Sequence, residues 1–230
     1  MGWIHTLAGF GAAGLLLFVA THGLIPLLSA HTGREPILFW FLIGGFGVFA
    51  PLLMAGHLLI RREGHPRNRL WTKRLRFRRM SRSDWAWGIG ATIVIGILGA
   101  GIQAALGALG GGSDLHPPFM AFEPLSPGRY WILAAWLPFW VLNIMGEEVL
   151  WRGVVLPRQE VALGPKAWIA NACGWLLFHA AFGWYLVIVL LPILIILPYV
   201  VQRRRNSWVG VVIHAGVNGP GFIAVALGLV

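Results

Sequence analysis

Two adjacent glutamates and an arginine stand inside the apolar run NIMGEEVLWRGVV, from Asn143 to Val155. Charge within or at the edge of a bilayer costs free energy, so ionisable residues there are candidates for function. Successive residues of a helix are rotated by about 100°, so Glu147 and Glu148 point in different directions. Arg152 follows Glu148 by four residues, shares its face and can form an ion pair with it. That leaves Glu147 as the carboxylate with no countercharge at helical spacing. A carboxylate buried without a cation beside it takes up a proton readily, which suits general-base work. A solvated helix end with an ordinary salt bridge would show the same spacing, and this segment alone does not separate the two readings.

Two further segments carry polar residues. WLLFHAAF puts Trp175 and His179 at i, i+4, and HAGVN puts His214 and Asn218 at i, i+4. Gly216 and Gly219 permit a close helix approach there. Pro220 lacks an N–H, so the Gly216 carbonyl loses its usual partner and the helix is expected to bend. One membrane histidine is most often a hydrogen-bonded core residue. A Glu, two His and an Asn on three separate helices are harder to assign to packing. His22 and His57 have no polar neighbours at helical spacing and read as packing or interfacial histidines. Cys173 cannot form an intrachain disulfide and has no partner for a thiolate metal site; within ANACGWLLF it reads as a small, buried packing residue.

The elements that must position these residues are membrane helices. The 230-residue chain is 57% hydrophobic and 11% charged, and a soluble domain of this length needs more charge to cover its surface. Its 13 Trp and 31 Gly suit interfacial belts and close helix contacts. A span needs about 20 apolar residues, which predicts an all-α, polytopic bundle of about seven transmembrane helices. They fall near 7–29, 37–60, 85–108, 130–150, 167–184, 185–201 and 207–228. Gly183 is the turn between the fifth and sixth, and Pro192 and Pro198 are expected to kink the sixth. The chain reads as one membrane domain over 1–230, with accessory spans and a basic loop in 1–129 and a core in 130–230.

Ten of the eighteen Lys and Arg residues lie between Arg61 and Arg82, and Arg203, Arg204 and Arg205 form a second cluster. The positive-inside rule puts both loops and the N-terminus in the cytoplasm and the C-terminus outside. The loop GGGSDLHPPFMAFEPLSPG then lies outside, while Arg152, Arg158 and Lys166 fall inside. The net charge of +10 and the loop 61–82, with Trp71 and Phe77 among its cations, point to anionic lipid rather than nucleic acid. The N-terminus has no basic n-region or cleavage site and reads as the lead-in to a retained span. Its match to Met-Gly-x-x-x-Thr is attributed to chance, since a seven-span chain has little need of an acyl anchor. No internal repeat is present. On these boundaries Glu147 lies near the cytoplasmic end of its span and His179 near the outer end of its own, a poor match in depth.

In order, EEVLWR matches Glu-Glu-x-x-x-Arg, WLLFH resembles Phe-x-x-x-His and HAGVN matches His-x-x-x-Asn. Together these resemble the CPBP family of intramembrane proteases, which includes the CAAX prenyl endopeptidases and the bacterial Abi proteins. The resemblance covers about Leu142 to Gly219, and Trp175 stands where the family usually has Phe. It implies an endopeptidase of the cell membrane acting on a membrane-embedded or lipidated protein or peptide. Glu147 would activate water with His179 assisting, and His214 and Asn218 would stabilise the oxyanion. Glu148 and Arg152 would hold the helix end and orient Glu147, with Trp175 as a further structural or orienting residue. The resemblance favours chemistry without metal; if zinc is used, Glu147, His179 and His214 are its ligands. A proton-coupled transporter and a catalytically silent immunity or binding protein are the alternatives.

Overall fold

Long apolar runs bounded by Gly, Pro or charge become long helices. The structure, a computed structural model, describes residues 1–64, 69–109 and 117–229. Parts of the basic loop (65–68) and of the loop after the third helix (110–116) therefore lie outside the described residues. We label the helices α1 (Trp3–Thr32), α2 (Pro36–Arg61), α3 (Arg82–Ala108), α4 (131–163), α5 (Ala167–His179), α6 (Trp184–Arg204) and α7 (Ser207–Ala226). Six stretches of the described chain are long and apolar enough to cross a membrane. The fourth, Trp131–Phe182, is too long for one crossing and breaks at Gly164–Lys166 into α4 and α5, which pack side by side. Seven principal helices result, with short helical turns at Leu70–Arg74 and Pro118–Met120, and no strand occurs among the described residues.

Packing puts the polar helices inside. α1 lies against α5, α2 against α4, and α3 against α6 and α7. Large apolar residues such as Leu15, Phe46 and Ile97 face outward, whereas Glu147, Glu148, Arg152, His179 and His214 are buried. This inside-out pattern is the one lipid permits. Gly146 allows α4 to meet α2: a Cβ there would lie 2.4 Å from the Phe49 carbonyl oxygen. Gly183 turns α5 into α6 with φ +85°, a value that glycine adopts without strain.

Among the described residues, ion pairs lie at the two ends of the bundle and in its core. At one end, Met1 donates its ammonium to the Arg158 carbonyl (2.8 Å), Arg76 holds Glu160 and Arg204 holds Asp84 (2.9 Å). At the other, Arg129 pairs with Glu35, and Leu125 N–H bonds the Ala226 carbonyl (2.8 Å). The chain thus starts at the basic end, and α7 finishes at the opposite one.

Three expectations are corrected. α4 does not stop near residue 150 but runs to 163, because Glu148 and Arg152 are buried together instead of marking a solvated end. Arg152, expected on the cytoplasmic side with Arg158 and Lys166, is completely buried. Glu147 is therefore ten residues, or about 15 Å, inside Pro157 on the basic side. α5 is short, and His179 lies twelve residues (about 18 Å) from its start at the same end, so the mismatch in depth disappears. Cys173 is exposed, not buried. It shares the outward helical phase of Leu176 and Leu177, while Ala172, Gly174 and Trp175 turn inward.

Glu63 knots the basic end. Arg74 donates to both its oxygens (2.5 and 2.8 Å) and Arg158 to one (2.7 Å). The Arg74 hydrogen bonds, opposed by partial burial and reinforced by Arg158, hold its carboxyl at about 2. A depressed carboxylate contributes stability above its unfolded pKa, which is lost as pH falls through the folded one. The pairs are partly exposed, so their worth is about 1 kcal/mol. Between pH 6 and pH 2, the unfolding free energy of the parent protein in detergent is expected to fall by about 1 kcal/mol more than that of Glu63→Gln. Equal losses would show that the knot contributes nothing.

Candidate active site

Glu147 ends the regular part of α4, and from Glu148 to Val155 the helix continues in wide, π-type turns. Such turns frequently accompany functional sites. Two neutral donors hold the Glu147 carboxylate: Asn143 Nδ2 reaches Oε1 at 3.0 Å, and Trp175 Nε1 donates to Oε2 in a short bond. No described cation lies within ion-pair distance of it. Asn143 is in turn bonded by Asn218 Nδ2 (3.3 Å), which links α7 to α4 through side-chain amides.

Glu148 does different work. Its Oε1 is 3.2 Å from Arg152 Nη1 and 2.9 Å from His214 Nδ1, so one carboxylate joins α4 to α7. Gly210, one turn before His214, makes room for it: a Cβ there would stand 2.3 Å from Glu148 Oε2. The Arg152 guanidinium lies 3.5 Å above the Trp175 ring, where a buried cation gains from the ring's negative face. Neither Glu148 nor Arg152 hydrogen-bonds Glu147, whose carboxylate is held by Asn143 and Trp175. Trp175 thus has a donor that Phe, usual in the similar family, lacks.

The histidine tautomers follow from their partners. His179 Nδ1 is 2.9 Å from the Trp175 carbonyl, which can only accept, so Nδ1 carries hydrogen and Nε2 of the neutral ring is an acceptor. His214 Nδ1 likewise faces an acceptor carboxylate. Its Nε2 is therefore an acceptor in the neutral ring and a donor once the ring is protonated.

Glu147, Trp175, His179, His214, Asn143 and Asn218 line one cavity of about 250 Å³. Its remaining walls are apolar and aromatic, with Trp40, Trp136, Phe139, Phe182 and Phe222 among them. A second buried network lies beside it: Asn171 bonds the Trp151 carbonyl and Gln159, and Gln159 bonds Thr6. Among the described residues no group of three His, Cys, Asp or Glu side chains is placed to hold a metal ion. Glu147, His179 and His214 line the same cavity, and both histidines make their hydrogen bonds through Nδ1.

Sequence reasoning passed over Asn143 and Gly210. Both had a signal: Asn143 stands one turn before Glu147, and Gly210 one turn before His214.

Residues 129–219 match a family model described as Type II CAAX prenyl endopeptidase Rce1-like. The match includes every residue of the Glu147, Trp175, His179, His214 and Asn218 constellation. No curated protein matches the chain, and no solved structure does.

Proposed function

We propose, on the premise that this multi-pass membrane protein belongs through residues 129–219 to the CAAX prenyl endopeptidase family, that Glu147 is the base of an intramembrane peptide hydrolysis. The carrying observation is a buried carboxylate, held by two neutral donors, that lines a cavity together with His179, His214 and Asn218. Glu147 takes a proton from water, and the resulting hydroxide oxygen bonds the substrate carbonyl carbon. His179 Nε2, an acceptor, helps to hold that water. The carbonyl oxygen becomes an oxyanion beside the second N–H of Asn218 and the protonated His214 ring, whose charge Glu148 balances. Collapse breaks the C–N bond, and the amine leaves with the proton that Glu147 carried.

The aromatic and aliphatic walls suit a lipidated or membrane-embedded peptide better than a polar one. The basic end, with the cations of 61–82, faces the cytoplasmic leaflet and its anionic lipid. The test is cleavage by the purified protein in liposomes, offered a prenylated CAAX peptide and its unprenylated form. Cleavage of the prenylated peptide is expected, at a rate that a chelator leaves unchanged. No cleavage of any lipidated or membrane peptide would overturn the assignment. Activity lost to the chelator and restored by zinc would overturn the metal-free chemistry.

A further inference from the structure

The basic end carries a second built feature, away from the Glu147 cavity. A pocket of about 650 Å³ opens between the start of α5 and the end of α6, lined by Trp168, Tyr199, Gln202, Arg203 and Arg205. Its frame is held by hydrogen bonds: Gln202 accepts from the Trp168 N–H (2.6 Å) and donates to the carbonyls of Gly164 and Pro165 (3.2 Å each). The single acid in the lining, Glu160, is neutralised by a two-pronged bond from Arg76 (2.8 and 2.7 Å). Arg203 and Arg205 have no side-chain partner among the described residues. Arg204 between them is occupied by Asp84.

Tyr199 is shared with a second cavity of about 570 Å³. This one is a groove between α3 and α6, walled by Ala86, Trp87, Gly90, Val94 and Ile196. From Ser83 to Val94 it follows α3 for eleven residues, about 17 Å, which is close to half of a hydrocarbon core of about 30 Å. Two unpaired cations at the membrane surface therefore adjoin an apolar slot of one leaflet's depth, with Trp and Tyr at the junction. Aromatic rings favour that headgroup level.

We infer that this is a binding site for an anionic phospholipid of the basic-side leaflet, its phosphate on Arg203 and Arg205 and an acyl chain in the α3–α6 groove. Charge complementarity selects the headgroup, and groove length and polarity select the chain. The site is independent of the peptidase reading, and from the loop 61–82 it uses only Arg76, which neutralises Glu160.

The test releases the purified protein from bilayers of equal phosphatidylglycerol and phosphatidylcholine and counts retained lipids by native mass spectrometry. The parent is expected to retain phosphatidylglycerol preferentially. Arg203→Gln with Arg205→Asn is expected to weaken phosphatidylglycerol binding about 30-fold, the effect of two surface cations near lipid. Asn is chosen because Arg205 has φ +49°, which Asn tolerates. Gly90→Leu should reduce retention of both lipids, since a side chain there meets nothing within 4 Å and projects into the groove without disturbing the fold. Arg61→Gln with Arg62→Gln, at the same end but outside the pocket, should leave the preference unchanged. The inference is overturned if the Arg203/Arg205 variant keeps its preference, or if the Arg61/Arg62 variant loses it equally. It also fails if inorganic phosphate alone displaces the lipid, or if a second copy of the chain occupies the groove as a dimer.

Discussion

Glu147→Gln is expected to lower peptide hydrolysis by about a thousandfold while the protein remains folded, because positioned general bases contribute about 10²- to 10⁴-fold. Gln keeps the shape and the Asn143 bond but cannot take a proton from water. Its amide turns one unfavourable dipole toward the Trp175 N–H, at a cost of about 1 kcal/mol in stability. The measurement is turnover in liposomes beside the melting temperature of the same preparation. A variant that cleaves at the parental rate would remove Glu147 from the chemistry. A variant that melts far lower would mean that its role is structural.

Glu148→Gln should show the opposite signature. Arg152 is fully buried with Glu148 as its only ion-pair partner among the described residues, and its guanidinium otherwise rests on the Trp175 ring. Removing the carboxylate charge leaves a buried cation uncompensated, a loss of about 3–5 kcal/mol in comparable cases. The expected result is a large drop in unfolding free energy in detergent. Adding Arg152→Met to Glu148→Gln should recover part of it, since that variant no longer buries a lone charge. If Glu148→Gln unfolds like the parent, the buried Glu148–Arg152 pair contributes nothing to stability.

The contrast between the two glutamates was legible before any coordinates, because a rotation of about 100° per residue puts neighbours on different faces. The pairing of Glu148 with Arg152 followed from the same periodicity, and the structure has it at 3.2 Å. The number of helices followed from apolar run lengths, and Gly183 from the need for a turn inside a continuous apolar stretch. The end of α4 did not follow, since charge at Glu148 to Arg152 looks the same in sequence whether it meets water or a partner. The phase of α5 was also hidden: Cys173 lies between buried Ala172 and Gly174, and an apolar helix has too little polarity contrast to show which side faces lipid.

Sequence by itself thus determined what depends on neighbours along the chain: the helices, their number, the local ion pair and the candidate residues at i, i+4. Tertiary structure decided what depends on neighbours across it. Asn143 joins Trp175 in holding Glu147; Glu148 reaches His214 because Gly210 lacks a side chain; and Arg203 and Arg205 meet an apolar groove at Tyr199. The physical reason is range. Helical hydrogen bonds and spacing act over four residues, whereas a hydrogen bond between helices needs depth, rotation and crossing geometry, which only the packed bundle supplies.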